Sequence, residues 1–220
     1  MLTLPFSAPA DRPLRILALG AHSDDVEIGA GATILRTLAE APAVEVCWAV
    51  VSAVGERADE ARASAADLLA GATSVDVVVG DFVDGYLPYH ALDVKHWVHA
   101  VAERMTPDVV LTHQRADLHQ DHRFLAELAL NAFRDHLILG FEIPKFDGDL
   151  GAPNVFVHVD EATFDRKMDV LRRHFETQRG KPWFDDDIFR GLMRLRGMES
   201  RAPSGLAEAF YCTKLVTGPT

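Results

Sequence analysis

The sequence predicts an α/β protein, a single domain over residues 1–220 with a mostly parallel sheet and helices on both of its faces. Three observations predict it. Short apolar, β-branched runs alternate with longer stretches of helical spacing through the first 133 residues, and that β-α-β-α order makes a parallel sheet. The chain of 220 residues is 48% hydrophobic, which suffices for one sizeable core. No internal repeat, low-complexity tract or linker divides it.

Taken in order, Arg15–Leu19 reads as a first buried strand and Val26–Leu38 as a helix, despite Gly29 and Gly31. The economical role for those glycines is close helix packing. Val44–Val51 is a second strand, and Asp59–Leu69 carries alanines and leucines at helical spacing. Val75–Val79 is a third strand and Leu92–Met105 a helix. Val109–Thr112 is a fourth strand, followed after a loop by a helix over His119–Phe133. The second half is less regular. Pro144–Pro153 suggests a surface loop, Val155–Val159 alternates as a strand, Glu161–Phe175 looks helical and Ala209–Val216 looks like a last strand. Trp183–Asp187, with three acids, reads as a solvated helix start. The core of the domain spans about residues 14–216.

Charge narrows the partners. The chain has 22 basic and 33 acidic residues, a net charge of -11. Such a chain repels polyphosphate and anionic lipid, so neither nucleic acid nor a membrane surface is expected. No run of about 18 apolar residues supports a membrane span. Cys47 and Cys212 both lie in apolar runs and read as buried thiols. Neither has a C-x-x-C neighbour, so no thiolate metal site or disulfide framework is expected. Met1–Pro5 lacks a basic segment leading into an apolar one, which points to the cytoplasm. A symmetric homo-oligomer is compatible with a chain of this size.

Function in an open α/β sheet sits beyond the carboxyl ends of strands. Two polar clusters fall there: Gly20-Ala21-His22-Ser23-Asp24-Asp25 after the first strand, and Asp117-Leu118-His119-Gln120-Asp121-His122 after the fourth. If both strands run the same way, the clusters share one edge. His22 and Asp25, three apart across a tight turn, can converge on one ion, and histidine with aspartate is a natural zinc set. Asp24 then diverges, a carboxylate beside the metal and placed to take a proton from its water. His119 and His122 lie on one helix face. One can complete the metal site and the other can serve substrate oxygen or a leaving group, with Asp121 fixing an imidazole tautomer. The bland alternative is that Asp25 only caps the following helix and that His119 and His122 are surface residues. A dinucleotide site is disfavoured, since acids stand where a pyrophosphate would sit.

At these residues the chain resembles the zinc-dependent N-deacetylases typified by PIG-L and LmbE-like proteins. Ala21-His22-Ser23-Asp24-Asp25 matches the family's A-H-P-D-D, and His119-Gln120-Asp121-His122 its H-x-D-H. Gly55-Glu56-Arg57 with Glu60 and Gly71, Phe82–Leu87, Pro107–His113, the late Lys167, Leu171, His174 and Gln178, and Ala207-Glu208-Ala209-Phe210 follow in the family's order. The resemblance implies a Rossmann-like fold and removal of an N-acetyl group from an amino sugar or its small conjugate. It implies His22, Asp25 and His122 as ligands to Zn2+, with Fe2+ or another divalent ion able to share them. It implies Asp24 as general base, His119 as the group that steadies the transition state, Asp121 as support for a histidine, and Arg57 and Asp84 near the substrate. Ser23 departs from the family's proline and Thr177 from its serine. Tyr86, Tyr89 and Trp183 are candidate sugar platforms, whereas Trp48 and Trp97 read as core. Hydrolysis of another acyl amide or ester, iron-dependent oxygen chemistry, or an inactive metal- or sugar-binding protein are the competing readings.

Overall fold

The computed structural model describes Pro9 and residues 11–217. The Met1–Pro5 stretch read above for targeting lies outside the described residues. Five strands run parallel: β1 (Leu14–His22), β2 (Val44–Ser52), β3 (Ser74–Val79), β4 (Val109–His113) and β5 (Leu137–Phe141). Then β6 (Val155–His158) and β7 (Ala207–Cys212) add an antiparallel border, giving the sheet order β3-β2-β1-β4-β5-β7-β6. The expected mostly parallel sheet is therefore present.

Side chains alternate across β1 and β2 and feed two cores. Ile16, Ala18 and Trp48 face helices α1 (Asp25–Glu40), α2 (Glu56–Leu68), α5 (Glu161–His174) and α6 (Asp186–Ser200). Leu17, Leu19, Cys47 and Ala49 face α3 (Ala91–Ala102) and α4 (Gln120–Ala132). Burial on both faces explains why these strands read as continuous apolar runs instead of alternating ones. Trp48 is core, as expected, and Trp97 packs half-buried against the second core.

One feature stitches the α1 face together. The Glu208 carboxylate on β7 accepts from the Ala32 and Thr33 amides at 3.0 and 2.7 Å, taking donors from the middle of α1. Lys167 on α5 donates to Ile28 O at 2.6 Å and to Glu208 at 2.8 Å. The late lysine and the Ala207–Phe210 run thus meet as a buried pair inside the fold.

β5 was not expected, and α6, whose start was read at Trp183–Asp187, runs on to Ser200. β5 is short and contains Gly140, where an added Cβ would stand 2.9 Å from Gln114 Cα, so a strand-weakening residue is there for close approach. The helical pattern of α6 is interrupted by Arg196, a buried arginine bound to Glu142 at 2.6 and 2.8 Å. The last strand also ends at Cys212, short of Val216. Asn154 takes both backbone groups of Cys212, at 2.8 and 3.0 Å, and closes the ladder there. That leaves Cys212 half-buried, where a core thiol was expected, while Cys47 is buried.

Candidate metal centre

β1 and β4 lie side by side and parallel, and the helices after them leave on opposite faces. A crevice forms at such a switch point, because the two connections diverge from it. Both polar clusters open into it. The turn after β1 brings Asp25 back on itself: its Oδ2 accepts the His22 amide at 2.6 Å. Neither Asp24, which holds the cap position of α1 without a side-chain cap bond, nor Asp25 acts as a simple helix cap.

The donor atoms of His22, Asp25 and His122 converge. His22 Nδ1 is 3.1 Å from His122 Nε2 and 3.4 Å from Asp25 Oδ2, and His122 Nε2 is 3.4 Å from Asp25 Oδ1. Ligands about 2.0–2.1 Å from a tetrahedral zinc stand about 3.3–3.4 Å from one another, so the spacing fits the ion. The outer nitrogen of each imidazole meets a carboxylate. His22 Nε2 lies 3.2 Å from Asp121 Oδ2 and 3.0 Å from Asp84 Oδ1; His122 Nδ1 lies 3.1 Å from Asp117 Oδ2. Carboxylates in that position fix the tautomer that turns the other nitrogen toward a metal. All three residues are buried. Three overlapping His/Asp groups able to hold a metal lie here among the described residues: His22, His119 and His122; Asp25, His113 and His122; and His22, Asp84 and Asp121.

Electrostatics follow from the crowding. Burial opposes charge on His22, yet Asp25, Asp121 and Asp84 outweigh it and raise its pKa well above the ordinary value. For His122, burial and the stacked His113 ring, 3.9 Å away, lower it to about 3. Burial resists ionisation of Asp25, but His122, His113 and His22 hold its carboxyl well below the usual range. Asp24 goes the other way. Burial raises its pKa, and the Arg57 guanidinium, 3.0 Å from Oδ1, only partly offsets this. Asp24 Oδ2 is buried with no partner among the described residues.

The profile of the family described as GlcNAc-PI de-N-acetylase, PIG-L, matches residues 17–133. The chain belongs to this family. It is 30% identical over 179 residues to an uncharacterized deacetylase, YaiS, of Escherichia coli K12, covering 75% of this chain and 92% of that protein. Among solved structures it resembles the N,N'-diacetylchitobiose deacetylase of Pyrococcus horikoshii, with 18% identity, a TM-score of 0.70, and 95% and 87% of the two chains covered. It equally resembles the 4-carboxy-2-hydroxymuconate hydratase GalB of Pseudomonas putida, with 19% identity, a TM-score of 0.71, and 94% and 99% covered. The expected family and enzyme class stand: this PIG-L family chain is an N-deacetylase. The fold also carries a hydratase, so the reaction has to be argued from the site.

The remaining candidate residues gather at the same crevice. His119 caps α4 and does not begin it; its Nδ1 accepts the Asp121 amide at 3.3 Å and its ring lies 5.0 Å from His22. Asp121 accepts from the Gly85 and Leu87 amides at 2.7 and 3.1 Å, pinning the Asp-Gly loop to the site, and the histidine it meets is His22. Arg57 is engaged by Asp24 and Glu60. Tyr86 and Tyr89 are exposed and packed on each other at 5.9 Å. The sequence reading missed the parts played by His113, whose Nε2 lies 3.1 Å from Asp25, by Asp117, and by Lys145, which donates to Asp117 at 3.0 Å. A histidine ending β4 and an aspartate opening the second cluster were the available signals for the first two. Lys145 carries none, lying in a loop after β5.

Proposed function

We propose that the protein removes the N-acetyl group from an N-acetylglucosamine-type sugar or a small conjugate of it, with zinc on His22, Asp25 and His122. One observation carries the reading: two imidazole nitrogens 3.1 Å apart, each 3.4 Å from an oxygen of the Asp25 carboxylate, with Asp24 Oδ2 unpartnered among the described residues. A divalent ion held there supplies Lewis acidity and lowers the pKa of a bound water.

The chain's own residues do the rest. Arg57 holds Asp24 through Oδ1, which leaves Oδ2 to take the proton of the attacking water. Burial raises the basicity of that carboxylate. Because His119 Nδ1 accepts the Asp121 amide, the neutral ring carries its proton on Nε2. That N–H steadies the carbonyl oxygen as negative charge grows on it, and the proton that Asp24 took from the water passes to the nitrogen as the C–N bond breaks. Acetate and a free amine leave. Asp121 keeps His22 oriented, and Asp84, whose side chain is 75% exposed, is the group on offer to sugar hydroxyls. Residues 14–216 carry this as one domain. Two free cysteines suit a reducing cytoplasm, and among the described residues no helix is long and apolar enough to cross a membrane.

The test is amine release from N-acetylglucosamine and its small glycosides, using zinc-loaded and chelator-treated protein. Release is expected only with metal. Asp24→Asn should keep its metal and lose about 10²–10⁴-fold in rate. A near-normal rate in that variant overturns the base, and a protein that binds no zinc overturns the donor set.

A further inference from the structure

Two segments meet beside the second polar cluster. The loop at 144–150 follows β5, and residues 180–184 lead into α6. Between them lies a cleft of about 210 Å³ whose apolar walls are Phe146, Leu150, Pro182, Trp183 and Ile188. Phe146 is 78% exposed and Leu150 48%, so much of their apolar surface is left uncovered by the described residues. Trp183 is half-buried and braced edge-on by Phe184, ring centres 5.6 Å apart, which fixes one wall.

The first segment is tied to residues of the centre. Lys145 donates to Asp117, which holds His122. Ahead of the second segment, Thr177 binds Glu60 through its amide at 2.8 Å and its hydroxyl at 2.7 Å, and accepts from Arg57 at 3.3 Å; Arg57 holds Asp24. The 144–150 wall of the cleft therefore adjoins the second polar cluster, two hydrogen bonds from His122.

The chemistry of the lining selects an occupant. Lys145 spends its three N–H groups on Asp117, Ile143 O and Asp149. Asp149 also accepts from the Leu118 amide at 2.8 Å. A hydroxyl-rich second sugar would find these polar groups already taken. Asp147, the other acid of the lining, repels a phosphate-linked group, as does the net charge of -11. A cavity of about 150 Å³ holds a benzene ring, so this volume suits one ring-sized group.

We propose that this cleft is the subsite for the aglycone, and that the preferred substrate is an N-acetylated amino sugar bearing a flat, uncharged, apolar aglycone. The identity of the sugar rests on the deacetylase reading above; the cleft does not. The experiment compares methyl and phenyl N-acetyl-β-glucosaminide as substrates, and methyl and phenyl β-glucoside, which have no acetyl group, as ligands in calorimetric titration. Phenyl should exceed methyl about tenfold in kcat/KM, the scale of one aromatic contact. The ratio should fall towards one in Phe146→Ala and in Trp183→Ala. Phenyl β-glucoside should bind more tightly than methyl, and Phe146→Ala, at an exposed position with no fold to break, should abolish the difference. Amine release at equal efficiency from both acetylated glycosides overturns the subsite and leaves the deacetylase reading standing. No amine from either, with Phe146-dependent binding of the phenyl glucoside, overturns the deacetylase reading and supports the subsite.

Discussion

Asp117 is fully buried, and its Oδ2 is shared between His122 Nδ1 at 3.1 Å and Lys145 Nζ at 3.0 Å. Burial resists its ionisation, but the His122 hydrogen bond and the nearby cations bring its pKa down to about 2. The carboxylate is thus charged at any working pH and holds His122 with Nε2 toward Asp25. Asp117→Asn keeps the shape and an acceptor but removes the charge. Metal affinity should fall about 10–100-fold, read by competition with a chromophoric chelator. Unchanged affinity would show that His122 is oriented by packing alone. His22, Asp24, Asp25, His119, Asp121 and His122 were legible as candidates because they fall in two short motifs, each in the segment that follows a predicted strand. Asp117 and His113 stood in or beside those stretches, but which side chain faces which cannot be read from spacing. Lys145 reaches Asp117 from 28 positions away, a contact made only by the fold.

At the scale of elements, α1 shows what its glycines do. A Cβ on Gly29 would lie 2.4 Å from Phe141 Cδ2 and 2.9 Å from Phe141 Cβ, the latter an atom no rotamer can move. At Gly31 the nearest side-chain atom would be 3.5 Å away, an ordinary contact. Gly29→Ala gains about 1 kcal/mol of helix propensity but forces α1 off β5, a strain of about 1–3 kcal/mol or more. Net destabilisation is expected in urea unfolding. Phe141 also packs edge-on against His113 at 4.7 Å, so the displacement should lower metal affinity as well. Gly31→Ala should be neutral or stabilising by up to about 1 kcal/mol, and equal behaviour of the two variants would refute the packing argument. β1, β2 and β4 were legible because each is buried along a continuous run, and β3, half-buried at the sheet's edge, because of its β-branched run. β5 was not, since Gly140 weakens its pattern for close approach to Gln114; of α6 the start at Trp183–Asp187 was legible, but its extent was not, since buried Arg196, held by Glu142, stands in its apolar stripe.

Across the whole molecule, α2 and α5 must stay in register, because α2 carries Arg57 and Glu60 while α5 leads into Thr177. Asp67, at the end of α2, is the tie. It accepts from Arg166 at 2.6 Å, from Arg173 at 3.1 Å, and stands 2.7 Å from His174 Nε2. The Arg166 and His174 hydrogen bonds bring its pKa from 3.8 to about 2. A carboxylate depressed by folding stabilises the fold at pH above its unfolded value and loses that contribution as pH falls through the folded one. Asp67 is 22% exposed, so solvent screening trims the full shift to about 1–2 kcal/mol. Asp67→Asn should therefore melt about 2–6 °C below the wild type at pH 7. The gap should narrow between about pH 4 and pH 2, as the wild-type carboxyl takes up its proton. Differential scanning calorimetry of both proteins across that range reads it directly. A gap that persists undiminished at the acid end would mean that neutral hydrogen bonds, and not charge, join the two helices.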